Sequence, residues 1–509
     1  MTIRREAFVW NTVFATANWV VVLLTGIVLV PVYLRHIDGA TYGAWLASGN
    51  ILSWIGMIDP GISLVAQQKV AAEFGRKNVS AVGEWSGATI LLCSILALLV
   101  SVAGIALAPY LATLLKLTDG TNIADLKSAF VWAGLGTAAH ILAFGLNSLS
   151  LGVQSGLAVG AISTTAQVIR PFAIVLLLNQ GLGVRSIGIA NMISGAAATI
   201  GAGLYLVRRF HIEGIGIRLR AATVRAIFGD LTFTSSLRIG NTAANYFDMF
   251  LIARLVGTDA VTILRLTRLP VDMAKAIIQR PASSIQAPLT HLFSEGNTTR
   301  AQEVVLRFLK YEIWFLIYIA VGITTFNAAF MRLWVGSEYY GGSCVNMLLV
   351  VSLIAEAASM VVFNLLFAVG NIRKNSLALF AYGAIYILLI YILSPLYGVL
   401  GVAMAGAASG VMVLTIYYVN ALRNAFSFAY ADLLSLLLEV LTTTVCCAIC
   451  AAIVHMINLG EGWAGLTTGV VVFSLCSFVG LVVMSRGFCC EVRNGWHWLR
   501  GMVRSKLAT

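Results

Sequence analysis

The sequence predicts an all-α polytopic membrane protein with about fourteen transmembrane helices, arranged as two six-helix lobes plus a C-terminal helix pair. Three observations point there. Of 509 residues, 59% are hydrophobic and only 11% are charged, against about 25% charged in soluble domains. Apolar runs long enough to cross roughly 30 Å of hydrocarbon recur from end to end, and no polar stretch is long enough to hold a soluble core. Basic residues are abundant in every second inter-helix segment and scarce in the others.

In chain order the expected spans are 8–34, 43–66, 86–115, 126–151, 158–180, 184–207, 226–256, 265–293, 304–334, 344–369, 376–395, 399–421, 433–457 and 463–485. The first is too long for the apolar part of a cleaved signal. The span at 265–293 is the least apolar, and a one-sided polar stripe opposite an apolar face is what keeps it in the membrane. With the N-terminus in the cytoplasm, the inside segments carry most of the bases. They include Arg4, Arg5, Lys69, Arg76, Lys77, the cluster Arg208, Arg209, Arg218, Arg220 and Arg225, and the tail bases from Arg486 onward. The outside segments hold only Arg35, Lys116, Lys127, Arg185 and Arg332. This asymmetry, about fourfold, puts both termini inside. It also accounts for the formal charge of +12 without a nucleic-acid partner.

The expected organisation is an N-terminal lobe at 1–207, a cytoplasmic basic linker at 208–225, a C-terminal lobe at 226–421 and a helix pair at 433–485. An amphipathic cytoplasmic tail follows at 486–509, with Phe488, Val492, Trp496, Leu499 and Val503 on one face, suited to the anionic inner leaflet. Similar loops around Gly75 and Gly296 fit a two-lobe repeat about an axis along the membrane normal.

The stripe within 265–293 carries the functional expectation. Arg265, Arg268, Asp272, Lys275, Gln279, Ser283, Gln286 and Thr290 are spaced 3, 4, 3, 4, 4, 3 and 4, one face of a helix. Ionisable groups in hydrocarbon cost about 2.5–3.5 kcal/mol each, so they face a cavity or a partner. Arg238, Asn241, Asn245 and Asp248 repeat the pattern one helix earlier. Ser163, Gln167 and Arg170 form a third polar face, with His140, Asn147 and Gln154 on a fourth and Asn11, Asn18 and Thr25 on a fifth. Converging, these faces would line a cleft between the halves. Its bases are Arg170, Arg238, Arg254, Arg265, Arg268, Lys275 and Arg280, and several have no evident partner in sequence. Arg268 with Asp272, and Asp272 with Lys275, are at distances along a helix that permit pairing. Arginine offers a planar fork for phosphate oxygens, so Arg170, Arg238, Arg265, Arg268, Lys275 and Arg280 are expected to hold a diphosphate head group. Asn11, Asn18, Asn241, Asn245 and Gln279 would supply polar lining. The alternative is that the charges only pair with acids and carbonyls.

Asp59-Pro60, Arg170-Pro171 and Arg280-Pro281 each set a charge before a proline, and Pro270 and Pro288 join the long stripe. Such prolines are hinges or static kinks. Transport against a gradient needs a coupling ion, H⁺ or Na⁺. Asp59, Asp248, Asp272 and Glu356 are the candidates, with His140 beside them, while Glu312 and Glu439 are placed near helix ends.

Enzyme signatures are absent: there is no Walker loop, no His-Glu-x-x-His and no Gly-x-Ser-x-Gly. Gly460-x-Gly462-x-x-Gly465 has no strand before it, and Cys446-Cys447-x-x-Cys450 has no second ligand cluster. No cofactor, metal or catalytic residue is expected.

Several of these elements carry a family resemblance. They are Asn11, Pro31, Tyr42-Gly43-x-Trp45, Asp59-Pro60-Gly61, the exit Val70-Ala71-Ala72-Glu73-Phe74-Gly75-Arg76-Lys77, and Phe247-Asp248-x-x-Leu251-Ile252 with Gly257. The chain resembles Wzx-type polysaccharide flippases of the multidrug/oligosaccharidyl-lipid/polysaccharide (MOP) exporter superfamily. The resemblance implies a MATE-like arrangement of lobes in the bacterial inner membrane. It also implies flipping of an undecaprenyl-diphosphate-linked oligosaccharide for O-antigen, exopolysaccharide or capsule synthesis, with glycan polymerases as partners. Proline at position 60 departs from the hydrophobic residue often found there. A lipid II flippase of the same superfamily is the alternative; it lacks support from the first helix, where Asn11 and Asn18 stand instead of an Arg-Asp motif. A membrane-embedded glycan polymerase is the alternative of a different class, and it would need larger outside loops than this chain has.

Overall fold

The computed structural model describes residues 2–56, 61–117, 122–227, 247–295, 298–457, 460, 462–485 and 487–493. Among them there is no strand, and the regular structure is helical. Ten of these helical segments are long and apolar enough to cross a membrane, and Leu24–His36 of the first helix is a shorter apolar stretch. The protein is an all-α, multi-pass membrane protein.

The first units are α1 (Thr2–His36), α2 (Gly39–Gly56), α3 (Ile62–Gly75), α4 (Val79–Leu107) and the short α5 (Leu111–Leu115). The span expected at 43–66 is in fact two helices. Gly61 opens α3 at φ 106°, a left-handed conformation that side chains with a Cβ avoid. Asp38 caps α2 by accepting from the Thr41 amide at 2.8 Å, and Asn78 caps α4 from the Ala81 amide at 3.2 Å.

Next come α6 (Ile123–Gly152), α7 (Gly156–Asn179), α8 (Arg185–Glu213) and α9 (Asp248–Leu255). Small residues bring α6 and α8 into close contact, as in membrane helix pairs generally. A Cβ on Gly188 would meet the backbone of Ala129. Side-chain hydrogen bonds then fasten the seam: Asn191 Nδ2 to the Ala133 carbonyl at 3.1 Å, and Thr199 Oγ1 to the Ala139 carbonyl at 2.6 Å. The basic segment after α8 runs extended over the start of α4, where the Arg218 amide donates to the Gly83 carbonyl at 3.1 Å.

The remaining helices are α10 (Thr258–Ser284), α11 (Gln286–Ser294), α12 (Thr298–Trp334), α13 (Ser343–Ala368), α14 (Ile372–Tyr397), α15 (Val399–Val413), α16 (Val419–Phe426), α17 (Tyr430–Met456) and α18 (Gly462–Met484). The expected span 265–293 therefore breaks at Ile285 into α10 and α11. Pro288 falls in the first turn of α11, where a missing amide is harmless, while Pro270 and Pro281 lie inside α10. Between α15 and α16 the helix continues through a π-turn at Leu414–Tyr418.

The chain forms two compact units, Met1–Thr262 and Ile263–Thr509. In the second, α17 and α18 pack on α12. Cys446, Cys447 and Cys450 are buried there among Phe473 and Leu481 and serve as small apolar filler. The helical segment 487–493 after α18 also belongs to this packing. Phe488 sits edge-on to Trp314 and Phe478, at centroid distances of 5.1 and 5.6 Å. The Gly-rich match at 460–465 lies at the start of α18, a spanning helix.

Candidate anion-binding site

In the second unit, the α10 stripe is more self-contained than its sequence implied. Asp272 accepts from Arg265 Nη1 at 2.5 Å and from Arg268 Nε at 3.2 Å, one carboxylate held by two guanidinium groups on its own helix. Lys275 does not use Asp272. It pairs with Glu356 on α13, whose other oxygen accepts from Ser352 Oγ at 2.7 Å and which also bonds the Tyr382 hydroxyl on α14. The side chains of Lys275 and Glu356 are 25% and 18% exposed, so each largely replaces the other's water. Among the described residues, these three cations thus face two carboxylates. The expected Arg268–Asp272 pair is present and Arg265 joins it, while the expected Asp272–Lys275 pair is replaced by Lys275–Glu356. A charge held in low dielectric is costly until it is paired, and α13 supplies a partner that no local spacing could reveal.

Below that cluster the stripe becomes packing. Gln286 Nε2 donates to Asn364 Oδ1 at 2.7 Å, and Thr290 Oγ1 donates to the Ala368 carbonyl at 3.0 Å. Gln279 is half-buried and Arg280 is exposed.

The first unit gives a different picture. Arg170 lies well inside α7, about 21 Å along the helix from Gly156. It is half-buried, and among the described residues it has neither an ion pair nor a hydrogen-bond partner. Its charge acts on His140 of α6 and Tyr33 of α1. No carboxylate of the described residues neutralises it.

Polar atoms gather on the same three helices. Asn147 Nδ2 of α6 donates to Ser163 Oγ of α7 at 3.4 Å. Asn147 is 8% exposed. Its Oδ1, together with Asn18 Oδ1 of α1 and Thr164 Oγ1 of α7, is buried without a hydrogen-bond partner. Gly160 of α7 lies against the ring of Phe14 of α1, so Thr164 and Asn18 each stand one turn beyond a shared contact. Buried polar atoms without partners are uncommon in native proteins and mark places where a ligand or water belongs. A lone guanidinium flanked by an imidazole and a phenol, with unpaired amide and hydroxyl groups two turns along, can bind an anion that carries hydroxyl groups.

The other expected positions divide into three groups. Asp248 is 2% exposed and accepts from the Met249 amide at 2.7 Å, at the start of α9. Arg254 donates to the Leu114 carbonyl at 3.1 Å, near the end of α5 where helix carbonyls lack amide partners. Asp59, Arg238, Asn241 and Asn245, and the side chains of Asn11 and Ser283, lie outside the described residues.

Sequence reasoning missed Tyr33 and Tyr382, which carry no charge to flag them. It also set Glu312 near a helix end. Because α12 begins at Thr298, Glu312 lies deep in the helix and is 6% exposed. Glu439 accepts from Trp314 Nε1 at 2.9 Å and from Ser485 Oγ at 2.8 Å, tying α17 to α12 and to the end of α18.

No protein-family model and no curated protein matches the sequence. Solved structures do match in fold. The lipid II flippase MurJ in an inward closed conformation superposes with a TM-score of 0.68 at 13% identity, covering 94% of this chain and 99% of that one. An inward-facing multidrug-resistance MATE transporter of the MOP superfamily gives 0.59 at 12% identity, over 80% and 98% of the two chains. An outward-facing MATE transporter gives 0.54 at 14% identity, over 83% and 96%. The chain therefore has the fold of these flippase and transporter structures.

Proposed function

We propose that the protein is a flippase that moves an undecaprenyl-diphosphate-linked oligosaccharide from the cytoplasmic to the outer leaflet of the bacterial inner membrane. It works by alternating access, is coupled to an H⁺ or Na⁺ gradient and serves O-antigen, exopolysaccharide or capsule synthesis. The observation that carries this reading is Arg170, a guanidinium inside a membrane helix with no carboxylate partner among the described residues. A diphosphate completes it by charge-assisted hydrogen bonds. The unpartnered oxygens of Asn18, Asn147 and Thr164 call for donors, which sugar hydroxyls supply.

The α10 cluster has a second part in this proposal. Asp272 and Glu356 hold the three bases while no anion is present, and a diphosphate competes with the carboxylates for Arg265, Arg268 and Lys275. Arg238, Asn241, Asn245, Asp59 and Asp248 keep their proposed roles as lining and coupling residues. The lobes at 1–207 and 226–421, the linker at 208–225 and the pair at 433–485 remain the proposed organisation.

Lipid II transport is the second reading, favoured by the MurJ likeness over 94% of the chain. Deleting the gene and locating the lipid-linked intermediates separates the readings. Accumulation of an oligosaccharide diphospholipid on the inner leaflet supports the proposal. Accumulation of the peptidoglycan precursor supports the second reading. A glycan that reaches the outer leaflet but is not extended would instead indicate a polymerase.

A further inference from the structure

Glu312 has no role in the site described above, and among the described residues it forms no ion pair or hydrogen bond. It belongs to a stripe of α12 made of Ala301, Val305, Leu309, Leu316 and Ala320, all buried, and it is the one polar member of that stripe. The residue is 6% exposed, and its Oε2 atom is buried without a hydrogen-bond partner.

The helices that pack on α12 are α11, α13, α16, α17 and α18. Their ionisable groups are committed elsewhere. On α13, Glu356 pairs with Lys275. On α11, His291 contacts Glu295, and on α16 Arg423 stacks on the Tyr430 ring at 3.9 Å. On α17, Asp432 accepts from the Ala429 amide and Glu439 accepts from Trp314 and Ser485. His455 lies near the far end of α17, and the packed 337–339 turn, with Glu338, follows the opposite end of α12 from Glu312. On α18 the ionisable side chain is Cys476. On α12 itself Arg307 pairs with Glu491 and Lys310, two residues away, lies on a different face. Among the described residues no ion pair neutralises Glu312, and leaving a buried carboxylate uncompensated costs several kcal/mol. A movement of α12 that exposes the group to water would remove that cost.

We propose that Glu312 is the proton-binding group through which transport draws on the proton gradient. The carboxylate takes up one proton from the outer side when hydrated, is buried as the neutral acid, and returns the proton to water on the cytoplasmic side. No other bond forms or breaks. This inference rests on the flippase reading for its consequence, but its first step, a neutral buried acid, stands apart from the cargo.

Two measurements on the full chain in proteoliposomes test it. The first compares infrared spectra of the wild type and Glu312→Gln at neutral pH. A protonated-carboxyl stretch present in the wild type and missing in the variant is expected, and no such difference overturns the proposal. The second follows translocation of an undecaprenyl-diphosphate-linked radiolabelled monosaccharide with and without an imposed pH gradient. The wild type is expected to accelerate under the gradient and Glu312→Gln to lose that response. A variant that responds as the wild type does overturns the proposal. If the wild type moves none of this probe, the flippase reading fails, and the infrared result alone decides the fate of Glu312.

Discussion

Lys275 meets Glu356 across two helices, whereas Arg170 meets no carboxylate among the described residues, and the two side chains respond to mutation in opposite ways. Truncating Lys275 strands a mostly buried carboxylate, which costs about 3–5 kcal/mol at the upper end for such pairs. Lys275→Met is therefore expected to lower the thermal unfolding midpoint in detergent, and the double variant Lys275→Met/Glu356→Leu to recover most of the loss. Equal midpoints for the single variant and the wild type would show that the pair is unimportant to stability. Arg170→Ala strands nothing. It is expected to unfold at or above the wild-type temperature while glycan export is lost, with Arg170→Lys partly active because it keeps the charge but not the planar fork. Reading the α10 stripe by spacing found the right face and the Arg268–Asp272 pair, but it could not find Glu356, 81 residues away in sequence. For Arg170 the sequence named the residue and left the company it keeps unknown.

At the scale of helices, hydropathy located the spans because hydrocarbon thickness sets their length, and it failed where backbone chemistry cuts a span. The break before α3 turns on Gly61 and the break at Ile285 on Pro281 and Pro288, whose effects are local and do not change mean hydropathy. Several helices also extend past their apolar runs, as α12 does from its expected start at 304 back to Thr298, since a helix continues into the polar interface until a cap stops it. The seam between α6 and α8 gives a direct test. Gly188→Leu would drive a side chain into the Ala129 backbone and is expected to reduce the yield of folded protein severalfold, as judged by size-exclusion chromatography in detergent. An unchanged elution profile and yield would mean that the two helices separate without penalty.

For the whole chain, charge asymmetry speaks to orientation, because bases are retained on the cytoplasmic side during insertion. The exposed basic segment around Arg218 and Arg220 should face the cytoplasm, and the outer turn at Ser337–Tyr339 should face the opposite side. Single cysteines placed at Gly216 and Ser337 in a cysteine-free background are expected to react with a membrane-impermeant maleimide only after permeabilisation and before it, respectively. The reverse pattern would invert the topology and with it the proposed direction of transport. Two compact units and a fold shared with MurJ and MATE structures at 12–14% identity show how far spacing and hydropathy alone specify architecture. The proposed cargo turns on a few side chains, which so general a pattern leaves unspecified.

The central claim is that Arg170 binds the phosphates of a lipid carrier. Binding of undecaprenyl diphosphate to the purified protein in nanodiscs, compared between the wild type, Arg170→Ala and Arg170→Lys, tests it most directly. Losing one charge-assisted contact of about 1.5–3 kcal/mol weakens binding of the alanine variant by roughly tenfold or more, with the lysine variant between the two. Equal affinities for all three proteins would contradict the account.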